Sequence, residues 1–478
     1  MAGVSEPLLD QRLGALEAAR TWSPRVVSKL ESHIRSSDDA GLFRINPVKF
    51  AGEKHIAEPE TIDLFLHGTA HGLFEMDWLL LCPLCSCVVE TFRSLRSVRN
   101  RYHCSMCHGD YEAVLDEYMA VTFTVSEAVR AIRFHRPCEL PVEDYCFRYK
   151  VLEGGQLPDG TPMVELQRAA TRTLRFLPPG EVTRLEAELD EGVLLGFNVD
   201  SDAGFVFRVV GPPVTSPQRV AVDYLENVCE PHGGVLAPGP VTFDVANRTD
   251  RRGFLALACV PADFKLTTLA FAPFLSGKRL LTTQTFGELF RSEVVGAAEG
   301  IGVREITVLF TDLKGSTALY DQIGDLNAFT LVQQHFGRLR EATVANGGAI
   351  IKTIGDAVMA AFPSPVGAVS AALAMLHEIT TFNRNRTGTA LVLKLGVHKG
   401  AAIAVTLNDR LDYFGQTVNI AARVQALAEA GEICLTQEVR DTRGVAPLLA
   451  AYGVERSVAR LKGVGEEVSI YRVTPGLR

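Results

Sequence analysis

Two stretches of sequence decide the fold of this chain: Val308-Leu-Phe-Thr-Asp-Leu-Lys-Gly-Ser-Thr317 and Lys352-Thr-Ile-Gly-Asp-Ala-Val-Met-Ala-Ala-Phe362. The first predicts a buried strand that ends in Asp312 and breaks at Gly315. Beyond that glycine, backbone N–H groups at the start of a helix are free to approach a phosphate. The stretch therefore indicates a strand end that binds a ligand.

The second stretch predicts a hairpin. Its strands are Ile350 to Ile354 and Ala357 to Phe362, with Gly355 and Asp356 at the tip. Two strand tips side by side would place Asp356 near Asp312. Paired carboxylates can hold two magnesium ions, as reactions at the α-phosphate of a nucleotide require.

From about Arg304 to Val473, the chain resembles the class III nucleotidyl cyclases, which convert ATP or GTP to the 3′,5′-cyclic monophosphate. Four motifs in the family's order carry the resemblance: Phe310-Thr-Asp-Leu-Lys-Gly-Ser-Thr317, Lys352-Thr-Ile-Gly-Asp356, Asp412-Tyr-Phe-Gly-Gln-Thr-Val-Asn-Ile-Ala-Ala-Arg423 and Leu461-Lys-Gly463. The resemblance implies a ferredoxin-like α/β domain. Alternating strand and helix patterns agree, with one sheet face covered by helices and a strand pair at Leu391 to Val397 and Ala401 to Val405.

The resemblance assigns the metal and phosphate sites. Asp312, Asp356 and the Leu313 carbonyl are expected to bind two Mg²⁺ or Mn²⁺ ions per active site, and Gly315, Ser316 and Thr317 to bind substrate. The ions would lower the pKa of the ribose 3′-hydroxyl and neutralise the triphosphate. A single aspartate after a strand more often caps a turn, but two aspartates within the full motif favour metal binding.

Lys352 and Asp412 occupy the family's base-selecting positions. A lysine donates to adenine N1 and an aspartate accepts from the 6-amino group, whereas guanine presents the opposite pattern. The pair predicts ATP, because a mismatched base would leave buried partners unpaired. Taken singly, Lys352 could be a solvated strand lysine and Asp412 a turn former.

Asn419 and Arg423 are four residues apart in a predicted helix from Thr417 to Leu427, so they share a face. By the resemblance, Asn419 orients the ribose, Arg423 stabilises charge at the α-phosphate, and Lys462 binds the triphosphate. The alternative for Asn419 and Arg423 is an exposed polar pair on an alanine-rich helix.

The chain departs from the family at Ala401, where related cyclases often have an arginine that contacts phosphate. Lys399 is close in sequence, but on a strand it would point to the opposite face. Substrate affinity is therefore expected to be modest, unless another cation substitutes.

The hairpin geometry predicts a homodimer. Lys352 and Asp356 lie four residues apart but act at opposite ends of an extended nucleotide. By the resemblance, each site takes its metals from one protomer and the remaining groups from the other: Lys352, Asp412, Asn419, Arg423 and Lys462. We expect a two-fold symmetric dimer with two equivalent sites.

Two CxxC pairs, Cys82-Pro-Leu-Cys85 and Cys104-Ser-Met-Cys107, predict a structural zinc site of four thiolates. Cys87, His103 and His108 could compete as ligands, and a redox dithiol pair is the less favoured alternative. The remaining cysteines are predicted to be small buried side chains: Cys138, Cys146, Cys229, Cys259 and Cys434.

The chain of 478 residues predicts a multidomain α+β protein. The expected order is an N-terminal α+β region at 1–150 with a zinc ribbon at about 79–110, a β-rich sandwich-like regulatory region at 151–280, a connector helix at 281–300 and the catalytic domain at 301–478. Within these, Ser126 is predicted to cap a short helix through Ile132, and the connector helix to run from Gln284 to Val295.

The composition is that of an ordinary globular protein, 47% hydrophobic and 22% charged, and the net charge of −8 argues against a nucleic-acid partner. Met1 to Arg20 lacks the apolar run of a signal peptide. The apolar stretch from Phe254 to Leu275 is interrupted by prolines and charges, so no transmembrane segment is predicted. These features predict a cytoplasmic protein.

The sequence thus favours an adenylate cyclase with an N-terminal regulatory half. A nucleotide-binding sensor with an inactive cyclase domain and a guanylate cyclase are the alternatives. The N-terminal half resembles zinc-containing modules that precede some bacterial cyclases. It shows no phosphate loop, haem-attachment motif or receiver pattern, which leaves a hydrophobic-ligand pocket or a protein-docking face open as its regulatory site.

Overall fold

The computed structural model describes residues 3–291, 300–386, 389–407, 410–465 and 467–474, with the side chain of Thr317 left out. Helices begin the chain because leucines recur at helical spacing: Leu9, Leu13 and Leu16 all lie on the buried face of the first helix. The helices of this region are α1 (Glu6–Ala19), α2 (Val26–Ser36), α3 (Pro47–Lys54), α4 (Glu58–Ala70) and α5 (Val142–Asp144).

The strands of this region form a three-stranded antiparallel sheet in the order β2-β1-β5 and a separate hairpin of β3 and β4. The strands are β1 (Phe74–Leu81), β2 (Val88–Phe92), β3 (Arg101–Cys104), β4 (Gly109–Glu112) and β5 (Met119–Val125). Three short 3₁₀ segments and one π-helical turn complete the region: Leu95–Ser97, Arg133–His135, Pro137–Glu139 and Tyr145–Tyr149.

The prediction of a helix after Ser126 was wrong. The Ser126 carbonyl accepts hydrogen bonds from the Val129 and Arg130 N–H groups, which closes a single turn. Short 3₁₀ segments follow because Pro137 and Pro141 lack an N–H donor and disfavour helical geometry in the residues before them.

The middle of the chain consists of two larger sheets. One has the order β13-β10-β9-β15-β7 and the other β12-β11-β14-β8, while β6 and β16 pair separately. The elements are β6 (Gly155–Gln156), α6 (Met163–Ala170), β7 (Thr171–Leu177), β8 (Val182–Leu189), β9 (Gly192–Phe197), β10 (Phe205–Val209), β11 (Gln218–Tyr224), β12 (Cys229–Glu230), β13 (Gly233–Leu236), β14 (Gly239–Asn247), β15 (Gly253–Val260) and β16 (Ala270–Phe271).

Alternating side chains hold these two sheets together. Along β10, Phe205 and Phe207 are buried and Val206 is exposed, as expected for a strand with one face on a core. The ring of Phe205 stacks on Phe243 of the other sheet with a centroid distance of 5.1 Å. The two sheets therefore share one apolar core.

Two short helices, α7 (Gly277–Leu281) and α8 (Gln284–Leu289), lead to the C-terminal region. The predicted connector helix is shorter than expected within the described residues, because α8 ends at Leu289, and residues 292–299 lie outside them. The side chain of Gln284 accepts a hydrogen bond from the Ile350 N–H at 2.9 Å. The connector thus contacts the predicted hairpin directly.

The C-terminal region is an α/β domain built on a sheet in the order β18-β19-β17-β20-β22-β24-β23, with β21 paired to β20. Its strands are β17 (Ile301–Leu313), β18 (Ala349–Ile354), β19 (Ala357–Phe362), β20 (Leu393–Leu407), β21 (Arg410–Phe414), β22 (Ile433–Thr436), β23 (Gly453–Arg460) and β24 (Glu467–Thr474). Its helices are α9 (Ser316–Ile323), α10 (Asp325–Ala345), α11 (Pro365–Arg384), α12 (Gln416–Ala426), α13 (Gln437–Arg440) and α14 (Val445–Leu448).

The strand β17 is buried on both faces. Leu309 and Leu313 pack into a core with α10 and α11. Val308 and Phe310 pack into a second core that continues into the N-terminal region through residues such as Trp78. Helices therefore cover one face of the sheet, as predicted. The N-terminal half covers part of the other face, which the sequence did not indicate.

The predicted strand pair after Leu391 is one long strand, β20. It runs antiparallel to β17 from Leu393, which faces Leu313, to Ala404, which faces Ile301. A reversal at Gly400 is not needed, because β17 continues alongside and satisfies the backbone groups of both halves of β20.

A single buried histidine on α10 makes stability depend on pH. His335 is fully buried, neither ring nitrogen has a hydrogen-bond partner among the described residues, and burial lowers its pKa from the ordinary 6.5 to about 4. The negative charge of Asp356 opposes this lowering only in part. The folded protein therefore holds the ring neutral where the unfolded chain would protonate it.

We predict that the free energy of unfolding falls as the pH decreases from about 6.5 towards about 4, because the unfolded state binds the extra proton. His335→Leu should remove about 2 kcal/mol of the difference between about pH 7.5 and about pH 5. Urea unfolding at the two pH values measures this, with His377→Leu, at an exposed position of α11, as the matched control. An unchanged slope in His335→Leu would contradict the prediction.

Candidate active site

The two aspartates of the predicted metal site lie at neighbouring strand ends. β17 pairs with β19 so that Thr311 faces Val358, which brings Asp312 alongside the β18–β19 tip that carries Asp356. Gly355 forms that tip with a φ of +63°, a left-handed conformation that glycine adopts at little cost. The fold therefore brings the two carboxylates together.

The electrostatics of this pair fit a divalent cation. Burial, and then the negative charge of Asp356, raise the pKa of Asp312 above its usual range. Asp356 Oδ2 is buried without a hydrogen-bond partner among the described residues. Two carboxylates that repel each other, one of them with an unpaired oxygen, offer the oxygen ligands that Mg²⁺ or Mn²⁺ would satisfy. Leu313, whose carbonyl was predicted as a further ligand, ends β17 beside them.

The chain turns from β17 into α9 at Gly315. This glycine has a φ of +74° and precedes the first helical residue, Ser316. Both residues therefore lie at the N-terminus of α9, where free N–H groups favour phosphate. Thr317 is in the first turn of the same helix.

Lys352 and Asp412 meet, although 60 residues separate them in sequence. Lys352 Nζ donates a hydrogen bond to Asp412 Oδ2 at 2.6 Å. The aspartate is buried and the lysine is half-buried. Asp412 is further oriented by the Tyr413 N–H, which donates to Oδ1 at 2.8 Å. The predicted base-selecting pair thus forms one polar unit.

Arg423 lies beside the loop that carries Lys462. A Cβ placed on Gly463 would lie 3.4 Å from Arg423 Nη2, and Gly463 has a φ of +74°. The backbone conformation therefore favours glycine here, and the guanidinium of Arg423 lies close to it. Lys462 and Asn419 are exposed, so the predicted phosphate and ribose groups are accessible.

The departure at Ala401 is not compensated by its neighbour. Lys399 Nζ forms an ion pair with Glu305 Oε2 at 2.8 Å. Because the lysine is already paired, a replacement for the expected arginine has to come from elsewhere.

The four cysteines of the CxxC pairs converge. Their sulfur atoms all lie within 4.8 Å of one another, with 3.4 Å between Cys82 and Cys107 and 3.6 Å between Cys85 and Cys104. A tetrahedral zinc with Zn–S bonds of 2.3 Å would separate sulfurs by about 3.8 Å. The observed spacing is close to that value.

The cysteine cluster also has the electrostatics of a cation site. Hydrogen bonds from Cys104 and then Cys82 hold the pKa of Cys107 well below its usual range. Contacts with Cys104 and then Cys107 raise the pKa of Cys85 well above it. The sulfurs cannot all ionise together unless a cation lies among them.

Two residues near these sites, Gln425 and Asp202, carried no sequence signal. Gln425, on α12, approaches Asp312 and helps to lower its pKa, but it belongs to no quoted motif. His103 and His108, considered as zinc competitors, instead form an exposed cluster with Asp202 from the middle region. Only the tertiary fold brings Asp202 to the cysteine hairpin.

Comparison with known proteins agrees with a division of the chain into an N-terminal part and a C-terminal α/β domain. Residues 301–471 match the adenylate and guanylate cyclase catalytic domain, and residues 10–288 match the family of unknown function DUF5939. A pH-sensitive adenylate cyclase of Mycobacterium tuberculosis is 32% identical over 197 residues, which cover 39% of this chain and 47% of that protein.

Two further proteins are similar to part of this chain. An adenylate cyclase of Anabaena cylindrica is 28% identical over 48% of this chain and 49% of its own length. The crystal structure of the adenylyl cyclase CyaB from P. aeruginosa is 25% identical, with a TM-score of 0.33, over 38% of this chain and 98% of that one. The chain spans about half the length of the two sequence relatives.

No helix within the described ranges is both long and apolar enough to cross a membrane. The family match from residue 10 to 288 covers more than half of the chain, and the strand-end aspartates lie within the second match. The chain therefore belongs to the family of unknown function DUF5939 and carries a class III adenylate and guanylate cyclase catalytic domain at residues 301–471.

Proposed function

We propose that this protein is an adenylate cyclase that converts ATP to 3′,5′-cyclic AMP and pyrophosphate. The observation that carries the choice of ATP is the 2.6 Å hydrogen bond between Lys352 Nζ and Asp412 Oδ2. One donor and one acceptor held side by side match N1 and the 6-amino group of adenine. Guanine would present an acceptor to Asp412 and a donor to Lys352, leaving both unpaired.

The reaction forms a bond between the ribose 3′-oxygen and the α-phosphorus and breaks the bond from that phosphorus to the bridging oxygen of pyrophosphate. Asp312, Asp356 and the Leu313 carbonyl would hold two Mg²⁺ or Mn²⁺ ions, which lower the pKa of the 3′-hydroxyl and neutralise the triphosphate. Asn419 orients the ribose, and Arg423 stabilises the charge that develops at the α-phosphate. Lys462 binds the triphosphate, with the N-terminus of α9 at Gly315, Ser316 and Thr317 as a second phosphate contact.

We infer that each site is shared across a homodimer. Lys352 lies on β18 and Asp356 at the tip of the same hairpin, only four residues away, so one extended nucleotide cannot readily reach both in the same chain. A symmetric dimer resolves this if the metal residues of one protomer face the base, ribose and phosphate residues of the partner. The exposure of Asn419 and Lys462 on the single chain supports this arrangement, because both side chains are accessible to a partner's nucleotide.

The first prediction from the proposed function concerns the nucleobase of the substrate. We expect the protein to prefer ATP, and the double variant Lys352→Glu, Asp412→Cys to lose ATP turnover by at least about 10³-fold while remaining folded. Cyclic-nucleotide assays with ATP and GTP, each with Mg²⁺ or Mn²⁺, measure this.

Arg456→Glu, on the exposed part of β23, is the matched charge-reversal control and should keep its activity. Equal use of GTP by the unaltered protein would favour a guanylate cyclase. No product from either nucleotide would favour a binding sensor.

The second prediction concerns the shared sites. Asp312→Ala and Arg423→Ala should each be inactive alone, because both sites of either homodimer lose one group. In a mixed dimer, one site carries both substitutions and the other site carries neither. Activity should therefore return to about half that of the unaltered dimer.

Subunit exchange followed by purification of tagged heterodimers tests the sharing of sites. Two Asp312→Ala chains carrying different tags provide the matched negative control. Absence of recovered activity in verified heterodimers would place each complete site within one chain.

We also propose a structural zinc bound by Cys82, Cys85, Cys104 and Cys107. The convergence of four sulfurs at near-tetrahedral spacing supports this ribbon-like site. By extension, the region at 1–150 contains the zinc ribbon, 151–280 is a sandwich-like regulatory region, 281–300 is a connector and 301–478 is catalytic. A cytoplasmic location suits an ATP substrate and free thiols.

The third prediction follows from this zinc site. Purified protein should contain about one zinc per chain, and Cys82→Ser should lose the metal and lower the unfolding temperature, because metal binding contributes to folding. Metal analysis and thermal unfolding measure the two effects. Cys138→Ser should change neither, because Cys138 lies outside the cluster and is exposed, contrary to the prediction that it is buried. Protein purified without chelators that contains no zinc would refute the site.

A further inference from the structure

A cavity of about 310 Å³ lies between the cysteine hairpin and the five-stranded sheet of the middle region. Its size is in the range of small-molecule pockets and is about ten times the volume that one water molecule occupies. The cavity is open to solvent on one side, because its lining residues Val206 and Leu266 are 52% and 38% exposed. A small molecule can therefore enter it.

The walls of the cavity come from separate parts of the chain and are mainly apolar. Met106 belongs to the cysteine hairpin, Met163 and Leu166 to α6, and Phe197 and Phe205 to the sheet. These side chains offer dispersion contacts and no charge. A ligand that fills the space must itself be largely apolar.

A loop between β15 and β16 covers one side of the cavity. Phe264 and Leu266 of this loop line the cavity, and Leu266 remains 38% exposed. The loop is joined to the first CxxC turn, because the Leu269 N–H donates to the Pro83 carbonyl at 2.8 Å. An apolar ligand would remove further surface of these side chains from water.

Besides Cys85 and Cys107 of the cysteine cluster, four polar residues line the cavity: His108, Gln167, Asp202 and His232. Asp202 is already paired with His103 Nε2 at 3.3 Å. Gln167 Nε2 donates to the Cys85 carbonyl at 2.8 Å, and no lysine or arginine of the described ranges lines the space. A bound carboxylate would lack a strong cationic partner, and a bound cation would have to compete with His103 for Asp202.

We propose that this cavity binds a small neutral molecule, mostly apolar, with one hydroxyl or N–H group that hydrogen-bonds to the polar residues of the wall. The lining residues, from Cys85 to Leu266, all precede the catalytic motifs in the chain, and the site is independent of the cyclase chemistry. It is composed of the cysteine hairpin, α6 and the sheet together.

The probe for this site is N-phenyl-1-naphthylamine, a neutral apolar amine whose fluorescence rises in apolar surroundings. We expect it to bind the full-length, zinc-replete protein with saturation. 1-Decanol should displace it, whereas decanoate at about pH 8 should be at least tenfold weaker, because its charge would be buried without a strong partner.

Two variants locate the bound probe. Ala258→Phe fills the interior, since Ala258 is a buried lining residue, and should abolish binding. Val206→Trp obstructs the cavity from a position that is 52% exposed and should weaken binding at least about tenfold while leaving the fold intact. Val235→Trp is the matched control, because Val235 is 58% exposed on the adjacent strand and does not line the cavity.

Three results would overturn the proposal. Absence of saturable probe binding would mean that the cavity takes no such ligand. Unchanged binding in the folded Val206→Trp variant would mean that the probe binds elsewhere. Displacement by decanoate as strong as that by decanol would mean that the ligand class is wrong. Circular dichroism and zinc content verify the fold of each variant, so a misfolded Ala258→Phe variant would not decide the outcome.

Discussion

The burial of β17 on both faces is the constraint on which the rest of the structure depends. The part of a strand that is covered on both faces must be mainly apolar, and Ile306 to Phe310 meets this requirement except at Thr307. The same strand carries Asp312 at its end. A rigid, fully packed strand fixes the position of this carboxylate, because any shift would open space in two cores at once.

The second core of β17 makes the N-terminal half a structural part of the catalytic domain. The Leu115 N–H donates to the Gly302 carbonyl at 3.1 Å, and the Arg304 N–H donates to Asp116 Oδ2 at 2.6 Å. Asp116 is held in turn by Lys278 at 2.8 Å. These contacts join the segment that follows the cysteine hairpin to the start of β17. A change in the N-terminal half therefore has a continuous packed route to the strand that ends at Asp312.

The candidate active site is electrostatically unfavourable by itself. Asp312 and Asp356 raise each other's energy, and Asp356 Oδ2 has no donor among the described residues. Such groups are retained where a ligand supplies the missing charge. The Lys352 and Asp412 pair is the opposite case, since its charges neutralise each other within the chain. The fold thus separates the pair of carboxylates, which requires cations, from the Lys352 and Asp412 pair, which suits a neutral nucleobase.

The sequence by itself determined the local elements and the identity of the candidate site residues. The strand to Asp312, the hairpin at Gly355 and the helix α12 follow from short-range periodicity and turn chemistry, which the structure confirms. Predictions from local sequence patterns failed where contacts with residues distant in the sequence determine the backbone conformation. β20 continues through Gly400 because β17 runs beside it, and the turn after Ser126 does not extend into a helix because of the prolines that follow.

Only the tertiary structure decided which distant residues meet. The contact between Lys352 and Asp412, the approach of Arg423 to Gly463 and the cavity between the cysteine hairpin and the middle sheet all join segments far apart in the chain. Periodicity reports which face of an element is buried, but not what covers it. The covering of the second face of β17 by the N-terminal half therefore could not be read from the sequence, since it depends on how two apolar surfaces pack together.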